Sequence, residues 1–301
     1  MKTSIKIWFI VATSLVVLGA IIFFVPIALM GWDFGVISTY QFETNEHAID
    51  GEFNKISIDT ATAKIDFVIS DDEECSVVCY ESENKRHDVS LKYGVLNITL
   101  RDTRKWYEYI GIGVYSPKIT VYLPASRCVS LEIDSSTSDI DIPKGFEFGE
   151  IEIDLSTGDV SIEGVSAKSI DISLTAGRTT LTDVKCEGVI EIEVSTGKSY
   201  LTNVSCADLI SDGNTGDMIL KDVIASGKFS IERSTGDISF ERCDAAEITI
   251  ETDTGDVKGS LSSGKSFNVR TDTGNVNIPS GSVGGKCNIK TDTGDVKIRI
   301  D

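Results

Sequence analysis

The sequence predicts an all-β protein: a parallel β-solenoid (a β-helix or β-roll) with coils of 19–20 residues, preceded by one N-terminal transmembrane helix. Three observations predict it. The chain opens on an uncharged aliphatic run, a Ser/Thr-Gly-Asp corner recurs at nearly constant spacing, and apolar residues alternate with polar ones on both sides of each corner.

Residues 1–32 read as a cytoplasmic tip and membrane anchor. From Ile7 to Trp32 there is no charged side chain, and such a run is long enough to cross a bilayer core of about 30 Å as a helix. Lys2 and Lys6 precede it and Asp33 is the first acid after it. The positive-inside rule therefore predicts a single pass with a cytoplasmic N-terminus and an extracytoplasmic 33–301. Trp8 and Trp32 stand where interfacial aromatics would. A cleaved signal peptide is the competing reading, but the run is long for one and no clear small-residue cleavage site follows.

Residues 33–50 read as a juxtamembrane linker. Residues 51–127 read as an irregular β-rich cap with the first coils, with strands at Lys55–Asp59, Lys64–Ile69, Ser76–Tyr80 and Val95–Leu100. Thr60-Ala61-Thr62-Ala63 reads as a diverged corner. Trp106, Tyr107, Tyr109 and Tyr115 cluster around Gly111 and Gly113, either as a packed loop or as an aromatic platform for a sugar or a partner chain.

Residues 128–301 carry the repeat. After the degenerate Ser136-Thr137-Ser138-Asp139, the corner glycines are Gly158, Gly177, Gly197, Gly216, Gly236, Gly255, Gly274 and Gly294. From Ser138 onward the spacings are 20, 19, 20, 19, 20, 19, 19 and 20 residues, which marks a solenoid. Seven residues before each glycine stand Ile151, Ile170, Ile190, Leu209, Phe229, Ile248, Phe267 and Cys287. Five before stand Ile153, Ile172, Ile192, Ser211, Ile231, Ile250, Val269 and Ile289. A spacing of two with one apolar face is strand periodicity, so each coil reads as two short strands joined at the corner. The glycine supplies a crowded or positive-φ backbone, and Asp suits the turn beside it. The chain ends on Val296–Ile300, which reads as an open edge where copies could associate.

Composition narrows the chemistry. Beyond residue 32 there are 26 basic and 47 acidic residues, a net charge of −21. Such a domain repels phosphate backbones, which argues against nucleic-acid binding. Seven Cys is an odd number, so they cannot all pair within the chain. Cys186 and Cys206 fall in slots that other coils fill with Ala, which predicts buried thiols; a bridge between adjacent coils is the alternative. Only His47 and His87 are present, too few for a His-based zinc site or a Ser-His-Asp group in the repeats. No nucleophile-elbow, zinc-protease or nucleotide-binding motif occurs in the exposed domain, so the reading is not an enzyme and no cofactor is expected. Corner acids are the best chemical feature. Asp253, Asp272 and Asp292 share one position; Asp256 and Asp295 share another. Stacked carboxylates repel, and calcium could relieve that; solvated turn acids that keep the rod soluble are the plainer reading.

With its Ser/Thr-Gly-Asp-Val/Ile corners, the lead-in Ile119-Thr120-Val121-Tyr122-Leu123-Pro124 and the following Leu131-Glu132-Ile133-Asp134-Ser135-Ser136, the sequence resembles the bacterial "putative adhesin" family, a domain of unknown function that includes LiaG-like and YvlB-like envelope proteins. The resemblance covers about residues 50–301. It implies a β-solenoid at the cell envelope, an adhesin role and no catalytic residues to carry over. The leading expectation is a membrane-anchored surface adhesin or binding module with an envelope glycan or protein partner. A cell-envelope stress regulator or scaffold acting through membrane partners is the second reading, and a glycan-cleaving β-helix enzyme the third.

Overall fold

The computed structural model describes residues 3–29, 42–71, 74–105 and 117–301. The apolar run forms α1 (Thr3–Leu29). Its Lys6–Pro26 span has a mean hydropathy of 2.6 and packs against nothing described, so it is long and apolar enough to cross a membrane.

Nineteen strands follow among the described residues, all in one sheet system. The first seven are β1 (Phe42–Ile49), β2 (Lys55–Ile69), β3 (Cys75–Ser82), β4 (Lys85–Lys92), β5 (Val95–Asp102), β6 (Lys118–Leu123) and β7 (Val129–Ile142). The regular repeats supply β8 (Glu147–Glu163), β9 (Ser166–Thr182), β10 (Lys185–Cys186), β11 (Val189–Cys206), β12 (Asp208–Thr215), β13 (Met218–Thr235) and β14 (Ile238–Thr254). The last are β15 (Val257–Leu261), β16 (Lys265–Thr273), β17 (Val276–Asn277), β18 (Gly285–Thr293) and β19 (Val296–Ile300). The fold is a β-solenoid of about 8 turns.

Pairing from β7 onward is parallel, with register shifts at Val129–Leu131, Ala225–Lys228 and Phe240–Cys243. Leu131, Ile151, Ile170, Ile190, Leu209, Phe229 and Ile248 stack as one column. All seven are at most 3% exposed. Stacking supplies what one coil lacks, because each covers the apolar face of its neighbour. Ala63 stands opposite Ser138, so the Thr60–Ala63 segment does occupy a corner.

The corner glycines are fixed by sterics. Gly197 has φ 151° and Gly216 has φ 136°. A Cβ on Gly216 would lie 1.6 Å from the Gly197 carbonyl oxygen, so no side chain fits while the coils keep their spacing. The strands bend through this corner rather than stopping there in β8, β9 and β11.

Four expectations are corrected. The stretch read as a linker contains β1, which pairs antiparallel with β3. The coil has three sides rather than two: a second corner lies six residues after the glycine, where Gly164, Asp183, Asn203, Asp222 and Arg242 take φ of 52–59°. Asp and Asn tolerate that left-handed region, and Arg242 is held there by bonds of 2.6 Å from Nε and Nη2 to the two Asp222 carboxylate oxygens. A short third side follows, placing Val165, Val184, Val204, Val223 and Cys243 inside.

The remaining two corrections concern order and edge. Coils do not stack strictly in sequence. The β5 and β6 strands lie outside β2, which is sandwiched between them and β7. At the other end, β18 pairs with both β14 and β16, and β19 with both β15 and β17. The last coil in sequence is therefore the last but one in space. The outermost edge belongs to β16 and β17; β19, read as the open edge, has β15 on one side and β17 over Val296 and Lys297 on the other.

Candidate binding surfaces and a buried polar cluster

The corner acids do a structural job first. Each accepts a backbone N–H from the same corner one coil along. Asp217 Oδ1 accepts from Asp237 N at 3.1 Å, Asp237 from Asp256 N at 2.9 Å, Asp256 from Asp295 N at 2.7 Å, and Asp295 from Asn275 N at 2.8 Å. This ladder accounts for the Asp at these positions, since its oxygen reaches the neighbouring coil's amide; Arg178 and Lys198 fill the same position in two earlier coils. Lys258 Nζ adds a 2.5 Å contact to Asp256. That bond and the Asp295 amide hold the Asp256 carboxyl below its ordinary range. The other row, Asp253, Asp292 and Asp272, comes into register through Thr252, Thr291 and Thr271. Asp272 is answered by Arg270 at 3.0 Å and Asp292 by Lys290 at 3.6 Å. Intrachain cations thus offset two of the three acids.

A groove of about 490 Å³ runs across the outer face of β13, β14, β15 and β19. Its charged lining is Lys221, Lys258, Lys297 and Arg299 with one acid, Glu241, beside apolar Ile219 and Ile298. Gly259 stands where flanking coils carry Phe240 and Ile298, and a Cβ there would lie 2.4 Å from the Phe240 ring. The distal segment 258–301 holds seven basic and four acidic residues, against a strongly acidic remainder.

The third feature is inside the cap. β3 alternates Cys79 and Glu81 onto one side, and the two-residue turn Glu83-Asn84 brings β4 back so that His87 faces them. Glu81 and His87 side chains are each 1% exposed. His87 Nδ1 lies 2.8 Å from Glu81 Oε2, and Nε2 lies 2.9 Å from Thr60 Oγ1. Glu81 also accepts from the His87 backbone N at 2.7 Å and from Asn45 Nδ2 at 2.7 Å. Burial pushes the Glu81 carboxyl up, but the His87 and Asn45 bonds outweigh it and leave it lowered. Cys79 is pushed up to about 12, by burial and then by the Glu81 charge. The Cys79, Glu81 and His87 ligand atoms all lie within 4.8 Å of one another.

Residues 53–212 and 200–301 match the family model Toastrack DUF4097. The chain belongs to the Toastrack DUF4097 family. Its fold is similar to that of a solved "putative adhesin" from Bacteroides fragilis, at 16% identity and TM-score 0.49 over 87% of this chain and 99% of that one. It is also similar to a "putative lipid binding protein" from Parabacteroides distasonis, at 11% identity and TM-score 0.42 over 86% and 97% of the two chains. A third is a "putative adhesin" from Parabacteroides merdae, at 12% identity and TM-score 0.39 over 87% and 98%. No curated protein matches the chain.

In this Toastrack chain the eight predicted glycines all sit at the corner, and seven have positive φ, Gly255 being the exception. The five singled-out acids are brought into two rows at the distal end, as described. Trp106, Tyr107, Tyr109 and Tyr115 lie outside the described residues. Cys186 and Cys206 are buried free thiols in adjacent coils. Sequence reasoning missed the His87 cluster. Its only signal was the Cys79-x-Glu81 alternation, since Thr60, Asn45 and His87 come from three other strands.

Proposed function

We propose that this Toastrack protein is a membrane-anchored binding module of the cell envelope, an adhesin-type solenoid that docks an anionic envelope polymer in its distal groove. α1 is the anchor, with Lys2 and Lys6 on the cytoplasmic side and the rod outside. The observation that carries the reading is the groove: four cationic side chains and one acid, Glu241, line it on a rod that is otherwise acidic. Although Lys221, Lys258 and Arg299 pair with Glu241, Asp256 and Asp301, cations outnumber acids in the lining. A polyanion is repelled along most of the rod and attracted at this one site, so the field confers selectivity as well as affinity.

The test is binding of the full chain, in lipid nanodiscs, to acidic and neutral polysaccharides. Acidic polymers should bind, and Lys258→Glu with Lys297→Glu should weaken that binding at least tenfold. Equal binding of neutral polymers, or no loss in the double variant, would reject the groove.

A second reading is favoured by the β16 edge, which no described strand covers. Copies of the rod pair there, tip to tip, because β16 and β17 end the stack as a regular parallel coil, whereas the other end finishes in antiparallel strands. In a Cys128→Ser background, Asn268→Cys should give a disulfide-linked dimer under mild oxidation, and a monomer would reject this pairing.

A further inference from the structure

We propose that the cap of the rod is a metal site: Cys79 Sγ, a Glu81 carboxylate oxygen and His87 Nδ1 together bind one divalent cation with the chemistry of zinc.

Geometry carries the assignment. The three ligand atoms converge within 4.8 Å of one another, a separation that small side-chain rotations close onto metal bonds of about 2.0–2.3 Å. They come from adjoining strands of one hairpin, so the tight β3–β4 turn preorganises them. The atoms pointing away from the common centre are already engaged. Thr60 Oγ1 holds His87 Nε2 at 2.9 Å, and Asn45 Nδ2 holds Glu81 Oε1 at 2.7 Å. Such outer partners are what orient imidazole and carboxylate ligands around a metal. The donor set is thiolate, imidazole and carboxylate, which zinc accepts as three of its four positions.

Electrostatics agrees. Without a cation the cluster packs a buried carboxylate beside a buried thiol, and burial together with the Glu81 charge opposes ionisation of Cys79. A divalent ion reverses this. It takes the place of the thiol proton, which is released to solvent on binding, and His87 ligates as the neutral imidazole, with Nδ1 toward the ion and its one proton on Nε2, donated to Thr60 Oγ1. The ion then ties β3 and β4 together, with Asn45 of β1 and Thr60 of β2 in its outer shell. Four of the strands that close this end of the solenoid meet at one point. The two-histidine count that argued against zinc fails because the other ligands are Cys and Glu.

The experiment uses the full chain in detergent, stripped with chelator, then titrated with Zn²⁺ and separately with Co²⁺. One metal should bind per chain with proton release, the melting temperature should rise, and Co²⁺ should show a thiolate charge-transfer band. Cys79→Ser should abolish that band and weaken binding at least tenfold, while Cys128→Ser, at the exposed thiol, should change neither. Asn45→Ala leaves all three ligands in place and should weaken binding about 10- to 100-fold, which keeps the test open if Cys79→Ser misfolds. Absence of stoichiometric metal, or a cobalt spectrum unaltered by Cys79→Ser, overturns the site.

Discussion

At one end of the rod the outermost coil, β5 with β6, is closed by antiparallel strands: β4 on β5, β3 on β6, and β1 on β3. At the other end β16 and β17 pair on their inner side alone among the described residues. The difference comes from how the chain turns. Between β4 and β5 stand Tyr93 at φ 53° and Gly94 at φ 77°, the pair of positive φ values that a two-residue hairpin needs. A hairpin reverses the strand, so the layer laid on β5 and β6 is antiparallel and the parallel stack of coils ends there. The distal end has corner glycines instead of hairpin turns, so it keeps the geometry that accepts a next coil. Each end keeps an edge that no described strand covers, β1 at the cap and β16 with β17 at the tip, but only the tip presents it as a regular parallel coil.

The largest expected effect separates the middle of the rod from its tip. Gly216→Val places a Cβ 1.6 Å from a carbonyl oxygen at positive φ, and should cost more than about 5 kcal/mol, enough to lose the fold. Gly274→Val meets a similar obstacle, 2.0 Å from the Gly294 oxygen, yet in a solenoid with nearest-neighbour coupling it should fray the terminal coil alone. Circular dichroism melting with hydrogen exchange distinguishes them, and equal global loss would mean that the tip is as integral as the centre.

Next is Lys265, which fastens the tip. It is buried, with Nζ 2.5 Å from Asp244 and 2.7 Å from the Ala245 carbonyl. Lys265→Met leaves Asp244 without its cation and should loosen β16 by about 3 kcal/mol. The readout is faster amide exchange in β16 with β7 to β9 unchanged.

A smaller effect is expected toward the cap. Asp66 is bridged by Lys118 at 2.7 Å and Lys64 at 3.0 Å, joining β2 to β6. Burial raises its pKa, but the Lys118 and Lys64 bonds outweigh that and leave it lowered. A carboxyl depressed on folding stabilises fully above its unfolded pKa of about 3.9, and that stability is lost as pH falls through the lower folded value. The lysines are exposed, so the contribution is about 1 kcal/mol. Asp66→Asn should therefore lower the melting temperature at pH 6 and leave it unchanged near pH 2; the opposite pH dependence would refute the linkage.

The smallest effect should come from the ladder. Asp237→Asn keeps an oxygen for the Asp256 amide and should cost less than about 1 kcal/mol, whereas Asp237→Ala should cost more. Thermal melts of the pair measure the value of one rung.

The sequence by itself determined the local rules. Corner spacing, strand alternation and the small inward slots at Ala167, Cys186 and Cys206 could be read because each coil repeats one packing problem, and a periodic cause leaves a periodic trace. Non-periodic features were decided by tertiary structure. Ser211 breaks an aliphatic column because Arg233 of the next coil turns inward, its Nη2 donating to Ser211 Oγ at 2.8 Å while Gly213 clears the space. The coil order at the tip could not be read either. The last three corners are nearly the same Asp-Thr-Gly sequence, so each would stack on either of the others equally well. What selects the order is the path between them: the chain climbs two levels from β15 to β16 and drops back one through residues 278–284, where Gly281 and Gly284 have φ of 71° and 158°. The cap cluster is the same lesson at the other end, since four strands must fold before Asn45, Thr60, Glu81 and His87 have anything in common.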